Sequence, residues 1–380
     1  MSRPWTVFHL DGERGLRGGQ RQLLYLAGAL RARGHANVIA CRRGEALSKE
    51  AKRQGFQILE LPFAGELDVR TAWALARATA QDERAVLHAH SAHAAASAVL
   101  ARALGGSARV VLHRRVDFPL GGGLSLRLKY RRASRVVAVS NAIAEILKRS
   151  GLDAGRISVV RDGLPVDGRE AAWAGVSPAR FAPPSAPERL EARQAIAREL
   201  NLPLSSPWVA NAAALVPHKD QQTLIAAAVI VLLRRPDALF LIAGRGPEEE
   251  ALLSSISRMG LLGKVVLLGQ LEDTTLLLKA ADVFALSSWG EGLGSVLLEA
   301  ASCELPVAAT TAGGIPELVR DGRSGLLCAP RSPEALAGNI LALLEDRARA
   351  RCLARRARED LPRFGLERMA LEMEKVYEQA

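Results

Sequence analysis

Two glutamates eight residues apart, Glu291 and Glu299, bracket a glycine-rich stretch, Trp289-Gly290-Glu291-Gly292-Leu293-Gly294-Ser295. An apolar run, Asp282-Val283-Phe284-Ala285-Leu286, precedes it and an aliphatic helical pattern follows. Glycines at such a junction leave backbone N–H groups uncovered at a helix start, where the first amides lack internal partners and the helix dipole is positive. That chemistry takes an anion. Eight residues at about 100° each bring Glu299 round to roughly the face of Glu291. Carboxylates there suit sugar hydroxyls. Lys219 adds a cation where another apolar run, Asn211 to Val216, gives way to a helical one. A lysine offers a phosphate a point charge. Together these groups predict a nucleotide-sugar site.

Other candidates lie in similar turns. Gly18 and Gly19 follow the first strand-like run but lack a full GxGxxG pattern. Their position is the better argument, because ligands of open parallel sheets bind at the carboxyl ends of strands. A plain tight turn is the competing reading. Gly244-Arg245-Gly246-Pro247 is a comparable turn, with Arg245 either a surface charge or turned toward a ligand. His88, His90 and His93 follow one strand, and His113-Arg114-Arg115-Val116-Asp117 the next. Alternation puts His88 and His90 on one face, where a hydrogen-bonded structural histidine is common. Arg114 and Arg115 make that edge cationic, which suits an anionic acceptor. The sequence shows no DxD pair in a suitable loop and no His/Cys cluster with ligand spacing, so no metal or other cofactor is expected.

The elements that must position these groups alternate in a βαβ rhythm. Strand-like runs span 5–10, 36–41, 57–61, 85–89, 109–112 and 136–139, and the pattern of 22–33 is an amphipathic helix. Residues 167–188 are rich in Ala, Pro, Gly and Ser and read as a linker. A second series follows, with strands at 208–213, 238–243, 264–268, 283–286, 307–309 and 325–328. The 380 residues suffice for two domains, and 49% hydrophobic with only 4% aromatic residues predicts aliphatic sheets covered by helices.

Composition also bounds the setting. The longest apolar run, Leu224 to Leu233, stops at Arg234-Arg235, well short of the roughly 18 residues of a membrane span. The opening residues lack a signal peptide's apolar core, and four scattered cysteines have no CxxC spacing. A cytoplasmic protein is expected. The net charge of +11 concentrates in Arg127 to Arg135 and Arg347 to Arg358. Those clusters are either solvated helix faces or a surface drawn to an anionic membrane. Neither is interleaved with stacking aromatics, so nucleic acid is not an expected partner.

The run EGLGSVLLEA, followed by ELPVAATTAGGIPELVRDGRSGLL, resembles the donor-site signature of retaining GT-B glycosyltransferases of family 4 (group 1). The likeness continues through ALVPHKDQQTLIAAA, LIAGRGPEEE and VVLLGQLED, over most of 205–345. It is less specific in GLRGGQRQLLYLAGALRARGH and VVRDGLPVD. The resemblance implies two Rossmann-like, doubly wound parallel-sheet domains facing a central cleft. Residues 1–185 are then the acceptor-side domain, 186–365 the donor-binding domain, and 366–380 a helix returning to the first. It implies that Glu291 contacts the transferred sugar and Glu299 the ribose hydroxyls. Gly292, Leu293 and Gly294 match the backbone near the diphosphate, and Lys219 the lysine that neutralises it. Gly18 and Gly19 match a loop near the donor phosphates, and His113 the position of a catalytic cleft histidine. His90, His93, Arg114 and Arg115 are acceptor-side candidates, and Arg245 a donor-side one. The chain departs from the pattern at Ala214, where the family usually has an arginine; either Arg245, Arg114 or Arg115 replaces it or the donor is held differently. The implied activity is retaining transfer from a nucleotide-diphosphate sugar to a glycan or lipid-linked acceptor. A cell-envelope polysaccharide or lipopolysaccharide is the expected product, made in the cytoplasm or at the inner face of its membrane. The alternatives are a nucleotide-sugar epimerase of the same architecture and a non-catalytic nucleotide-sugar binding protein.

Overall fold

The computed structural model describes residues 3–118, 120 and 129–380. They form two compact units, Met1–Ser177 with Phe364–Ala380, and Pro178–Arg363.

The first unit is built on seven parallel strands: β1 (Thr6–Asp11), β2 (Ala36–Arg42), β3 (Gln57–Leu61), β4 (Ala85–Ala89), β5 (Arg109–Arg114), β6 (Arg135–Ala138) and β7 (Ile157–Val159). Their order is β3-β2-β1-β4-β5-β6-β7, so the winding reverses between β1 and β4. Thr6 lies opposite Ala36 on one side and Ala85 on the other. Val7, Leu10, Val86, Leu87, Val110 and Val111 are buried, as near-continuous apolar strands covered on both faces should be. Helix Gly18–Ala32 turns Leu23, Leu24, Leu26 and Leu30 into the core. Its Gly28 admits a neighbour: a Cβ there would stand 2.0 Å from the Trp173 carbonyl oxygen.

The last helix, Leu366–Glu378, belongs to this unit. It buries Met369, Met373, Val376 and Tyr377. Glu374 accepts from Arg33 Nε at 2.6 Å and Nη2 at 2.9 Å, and lies 2.8 Å from His35 Nε2. Glu170 covers the helix's open N-terminal amides, accepting from Leu366 N at 2.9 Å and Glu367 N at 2.8 Å.

The second unit has six parallel strands: β8 (Trp208–Ala212), β9 (Leu239–Ala243), β10 (Val265–Gly269), β11 (Val283–Leu286), β12 (Val307–Thr310) and β13 (Leu326–Cys328). Their order is β10-β9-β8-β11-β12-β13, with the reversal between β8 and β11. Helices Gln221–Arg234 and Pro333–Glu345 close a shared aliphatic core with Phe240, Ile242 and Ala285. Asp282, at the foot of β11, ties in two more helices. It accepts from Trp208 N at 2.8 Å, Arg193 Nη1 at 3.0 Å, Arg189 Nη2 at 3.1 Å and Arg347 Nη1 at 2.9 Å. Burial pushes its pKa up, but the Trp208 amide and the Arg193 and Arg189 charges outweigh burial and hold it below the usual value.

Twelve of the thirteen strands lie within two residues of their expected positions. The missed one, β7, is three half-buried residues. The expected linker is partly folded: Asp167 caps helix Gly168–Ala174 by accepting from Glu170 N, and Gly175 ends it in the left-handed region. Gly18 and Gly19 form the first turn of a helix rather than a turn before one. Of the first basic cluster, Arg127 and Leu128 lie outside the described residues, while Lys129 pairs with Glu66 at 2.5 Å. In the second, Arg347, Arg355 and Arg358 are engaged with carboxylates of their own unit. Among the described residues no helix is long and apolar enough to cross a membrane.

Candidate active site

In the second unit, the loops after β8, β9, β11 and β12 interlock. The β8 loop lies along the Gly244–Gly246 turn, with Ala213 N donating to Ala243 O, Leu215 N to Arg245 O and Glu248 N to Leu215 O, all at 3.0–3.1 Å. A Cβ on Gly244 would meet Ala213 O at 1.9 Å, and one on Gly246 would meet Leu215 O at 2.1 Å. This close approach explains both glycines. Asp220 then adopts a left-handed conformation, φ 50°, and caps the next helix through the Thr223 amide and hydroxyl. Lys219 is fixed just before that cap.

From there, Lys219 Nζ reaches Glu291 Oε1 at 2.5 Å. The side chains are only 20% and 6% exposed. Ser288 Oγ donates to the same carboxylate oxygen at 2.9 Å, and Thr310 Oγ1 holds the Ser288 carbonyl at 2.6 Å. Ser287 Oγ donates to Lys219 O, and Trp289 N to His218 O, binding the β8 and β11 loops together. Gly313, at φ 49°, lets the β12 loop press on Glu291, whose carbonyl oxygen would be 1.8 Å from a Cβ there. Lys219 and Glu291 therefore meet where the sheet order reverses, beyond the carboxyl ends of β8 and β11.

The rest of the glycine-rich stretch is placed less simply. Gly292, Leu293 and Gly294 are buried, and Gly294 sits at φ 82°. The helix starts only at Val296, and the Leu297 and Leu298 amides close onto Gly294 O and Ser295 O. Glu299 is half-buried on that helix and accepts from Thr274 Oγ1 at 2.9 Å, in the loop after β10. Arg245 is exposed and its guanidinium passes over Gly269. Ala214 O accepts from Gln221 Nε2, so the backbone at the departed position serves the following helix.

The first unit gathers histidines at its own reversal point. His9 on β1, His88 and His90 at the end of β4 and His113 on β5 have ring centroids 4.1–5.7 Å from their neighbours. Hydrogen bonds fix the protons of two of them. Asn37 Nδ2 donates to His35 O, so Asn37 Oδ1 accepts from His9 Nε2 at 3.0 Å. His9 Nδ1 is then the acceptor for His90 Nε2 at 3.1 Å, and His90 Nδ1 accepts from Arg115 Nη1 at 3.0 Å. Arg115 Nε ends the chain on Asp162 Oδ1 at 2.9 Å. Burial pushes the His9 pKa down to about 4 and holds those of His88, His90 and His113 well below the ordinary value; the Arg115 charge pushes each the same way. Burial also raises Asp11, beside them at the end of β1, to about 6.

The spacing alone would let His9, His88 and His90 surround a cation, since their ligand atoms lie within 4.8 Å of one another. The sequence reading missed this grouping because His9 stands about eighty positions away. The hydrogen bonds argue for another use. With Arg115 donating to Nδ1, His90 carries its proton on Nε2, the atom that a metal would need unprotonated. His88 Nε2 and both ring nitrogens of His113 are buried without a hydrogen-bond partner. His88 Nδ1 lies 2.9 Å from the Tyr377 hydroxyl. His93 is apart from the cluster, with its side chain 42% exposed and Nδ1 3.5 Å from Glu13 Oε1. Arg114 turns away toward the Tyr130 hydroxyl and Phe118 O, whereas Arg115 lies over Gly19.

Sequence reading also missed Asn37, Asp162, Ser288 and Thr310. A polar residue inside an otherwise apolar strand, as His9 and Asn37 are, was the available signal.

Comparisons with known proteins agree with this fold. The family described as Glycosyl transferases group 1 matches residues 192–360, and Glycosyltransferase Family 4 matches 16–167. The D-inositol 3-phosphate glycosyltransferase of Salinispora tropica is 31% identical over 260 residues, 65% of this chain and 51% of that one. The N-acetyl-alpha-D-glucosaminyl L-malate synthase of Bacillus anthracis is 34% identical over 142 residues, 37% of each chain. The chain thus covers about half or less of the length of these relatives. Among solved structures, Anabaena HepE in complex with UDP and glucose superposes with a TM-score of 0.83 at 22% identity, covering 99% of this chain and 100% of that one. The fold of two Rossmann-like units is GT-B.

Proposed function

This chain belongs to the group 1 glycosyltransferases of family 4, and from that premise we propose that it moves a sugar from a nucleotide-diphosphate sugar to a hydroxyl of a glycan or lipid-linked acceptor, with retention. The Lys219–Glu291 pair carries the reading. It is buried at the reversal point of the second unit, and both residues occupy positions that the family resemblance assigns to donor contacts. Breaking the bond between the anomeric carbon and phosphate builds negative charge on the leaving diphosphate and positive charge on the sugar ring. Lys219 is preset for the first, and such preorganised charge is usually the largest contribution to catalysis. A diphosphate competes with Glu291 for the lysine. Glu291, still held by Ser288, is then released toward the sugar hydroxyls. Glu299 takes the ribose, Gly292 to Gly294 line the diphosphate, and Arg245 is the nearby cation on the donor side. No metal or other cofactor enters this scheme.

The first unit takes the acceptor, with His113 as its catalytic histidine and His90, His93, Arg114 and Arg115 around it. The partnerless nitrogens of His113, on a neutral ring, support a role toward a hydroxyl. Retention, with the leaving phosphate taking the acceptor proton, rests on the family. An envelope glycan as product, made at the inner face of the membrane, is supported by the basic surface alone. A thermal-shift screen with UDP, GDP and ADP tests the donor reading. A ligand at 100 times its dissociation constant adds about 2.7 kcal/mol. Stabilisation by one nucleotide, lost in Lys219→Met, is expected; no shift with any of them contradicts the site.

A further inference from the structure

A cavity of about 390 Å³ opens in the first unit, lined by Arg14 from the loop after β1 and by Arg42, Arg43, Glu45 and Glu60 at and beyond the carboxyl ends of β2 and β3. Its volume falls in the roughly 300–1,000 Å³ range of small-molecule sites. It shares no lining residue with the histidine cluster.

The lining has fixed and free parts. Arg42 is fixed, donating from Nε to Gly12 O and from Nη2 to Phe63 O. Glu60 is fixed as well, accepting from Ser48 Oγ at 2.6 Å, Lys52 Nζ at 2.8 Å and Gly44 N at 3.4 Å. Lys52, Ser48 and the Gly44 amide hold its carboxyl down to about 2, so it is ionised. Glu45 accepts from Gly15 N at 3.3 Å. The two remaining arginines are loosely engaged. Arg14 stands 4.0 Å from Glu45 and is 82% exposed, and Arg43 stands 3.7 Å from Glu60 and is 84% exposed. Both distances exceed a hydrogen bond, which leaves two guanidinium forks ready for another partner.

Fixed carboxylates accept from sugar hydroxyls, and free forks match the oxygens of a phosphate or carboxylate. We propose that this cavity binds an anionic sugar or polyol, a hexose-sized ring bearing a phosphate or carboxylate, as the recognised part of the acceptor. Its role as acceptor rests on the glycosyltransferase reading; its binding does not.

Titration calorimetry on the full chain reads the binding directly. The probes are glucose 6-phosphate and glucuronate, against glucose and inorganic phosphate. Saturable binding of one sugar anion, with glucose and phosphate each much weaker, is expected, and the better probe distinguishes phosphate from carboxylate. Arg14→Gln with Arg43→Gln removes two charge-assisted contacts and weakens that binding roughly tenfold to a hundredfold. Both side chains are exposed, so the variant keeps its fold, which a melt verifies. Equal binding of inorganic phosphate, unchanged binding in the double variant, or no binding of either sugar anion overturns the proposal. Nucleotide binding through Lys219 is measured separately in the same samples, so a failed donor site and a failed cavity are told apart.

Discussion

The two units bury polar groups at the same topological place by opposite means. In the second unit, beyond β8 and β11, a full positive charge meets a full negative one, Lys219 on Glu291. In the first, at β1, β4 and β5, four imidazoles are kept neutral by burial, and the adjoining Arg115 charge is matched by Asp162. A paired corner can exchange one partner for an anionic ligand. A neutral, tautomer-fixed corner can instead present single N–H groups and lone pairs to a hydroxyl. The donor and acceptor roles proposed above ask for that difference, a diphosphate at one corner and an alcohol at the other.

Removing one charge from the second unit's corner should have the largest effect. Lys219→Ala leaves Glu291 buried with only Ser288 as partner and is expected to cost about 3–5 kcal/mol of stability. The double variant Lys219→Met with Glu291→Leu should recover most of it in urea denaturation, since neither charge is then left alone. Recovery of nothing would mean that the pair is not the buried unit described.

Acid should separate the two units. His9, His88, His90 and His113 titrate lower when folded than when unfolded, so the unfolded chain takes up more protons between their folded pKa values and about 6.5. The histidine contribution is therefore full above about 6.5 and falls below it, by about 1.4 kcal/mol per pH unit for each such histidine, while Asp11, raised to about 6, works the other way and offsets one of them between about 6 and 3.8. Asp282 is the opposite case. Its lowered pKa gives stability that is present above its ordinary value of 3.8 and is lost only as the pH falls below that. Fluorotryptophan NMR on Trp5, in the first unit, and Trp208, in the second, should show Trp5 responding first as pH drops from 7 to 5. A simultaneous loss would remove the contrast.

The smallest effect sharpens the boundary of the histidine corner. His93→Ala removes an exposed contact to Glu13 and should change stability by less than about 0.5 kcal/mol. It should also leave the acid transition where it was.

How far the sequence could be read follows from the same contrast. The meeting of Lys219 and Glu291 was legible because Glu291 lies in a contiguous glycine-rich stretch and Lys219 sits at a strand end, whereas Glu299 turns instead to Thr274. Twelve strands were legible because buried parallel strands are unbroken apolar runs. The short β7 and helix Gly168–Ala174 were not. One has too few residues to show a period, and the other owes its helix to the Asp167 cap and Gly175 rather than to composition. The histidine corner was legible only in part. His90 and His113 stood out, but their tautomers depend on Asn37, His9, Arg115 and Asp162, which only the folded sheet brings together.

The most direct measurement is made on Glu291→Gln, which keeps the shape of the side chain and removes its charge. Transfer from the donor nucleotide sugar and binding of the matching nucleoside diphosphate would be measured on the same preparation. Transfer should fall by roughly a hundredfold to a thousandfold, with diphosphate binding kept or tightened because Lys219 is released. Full transfer activity in this variant would contradict the role proposed for Glu291.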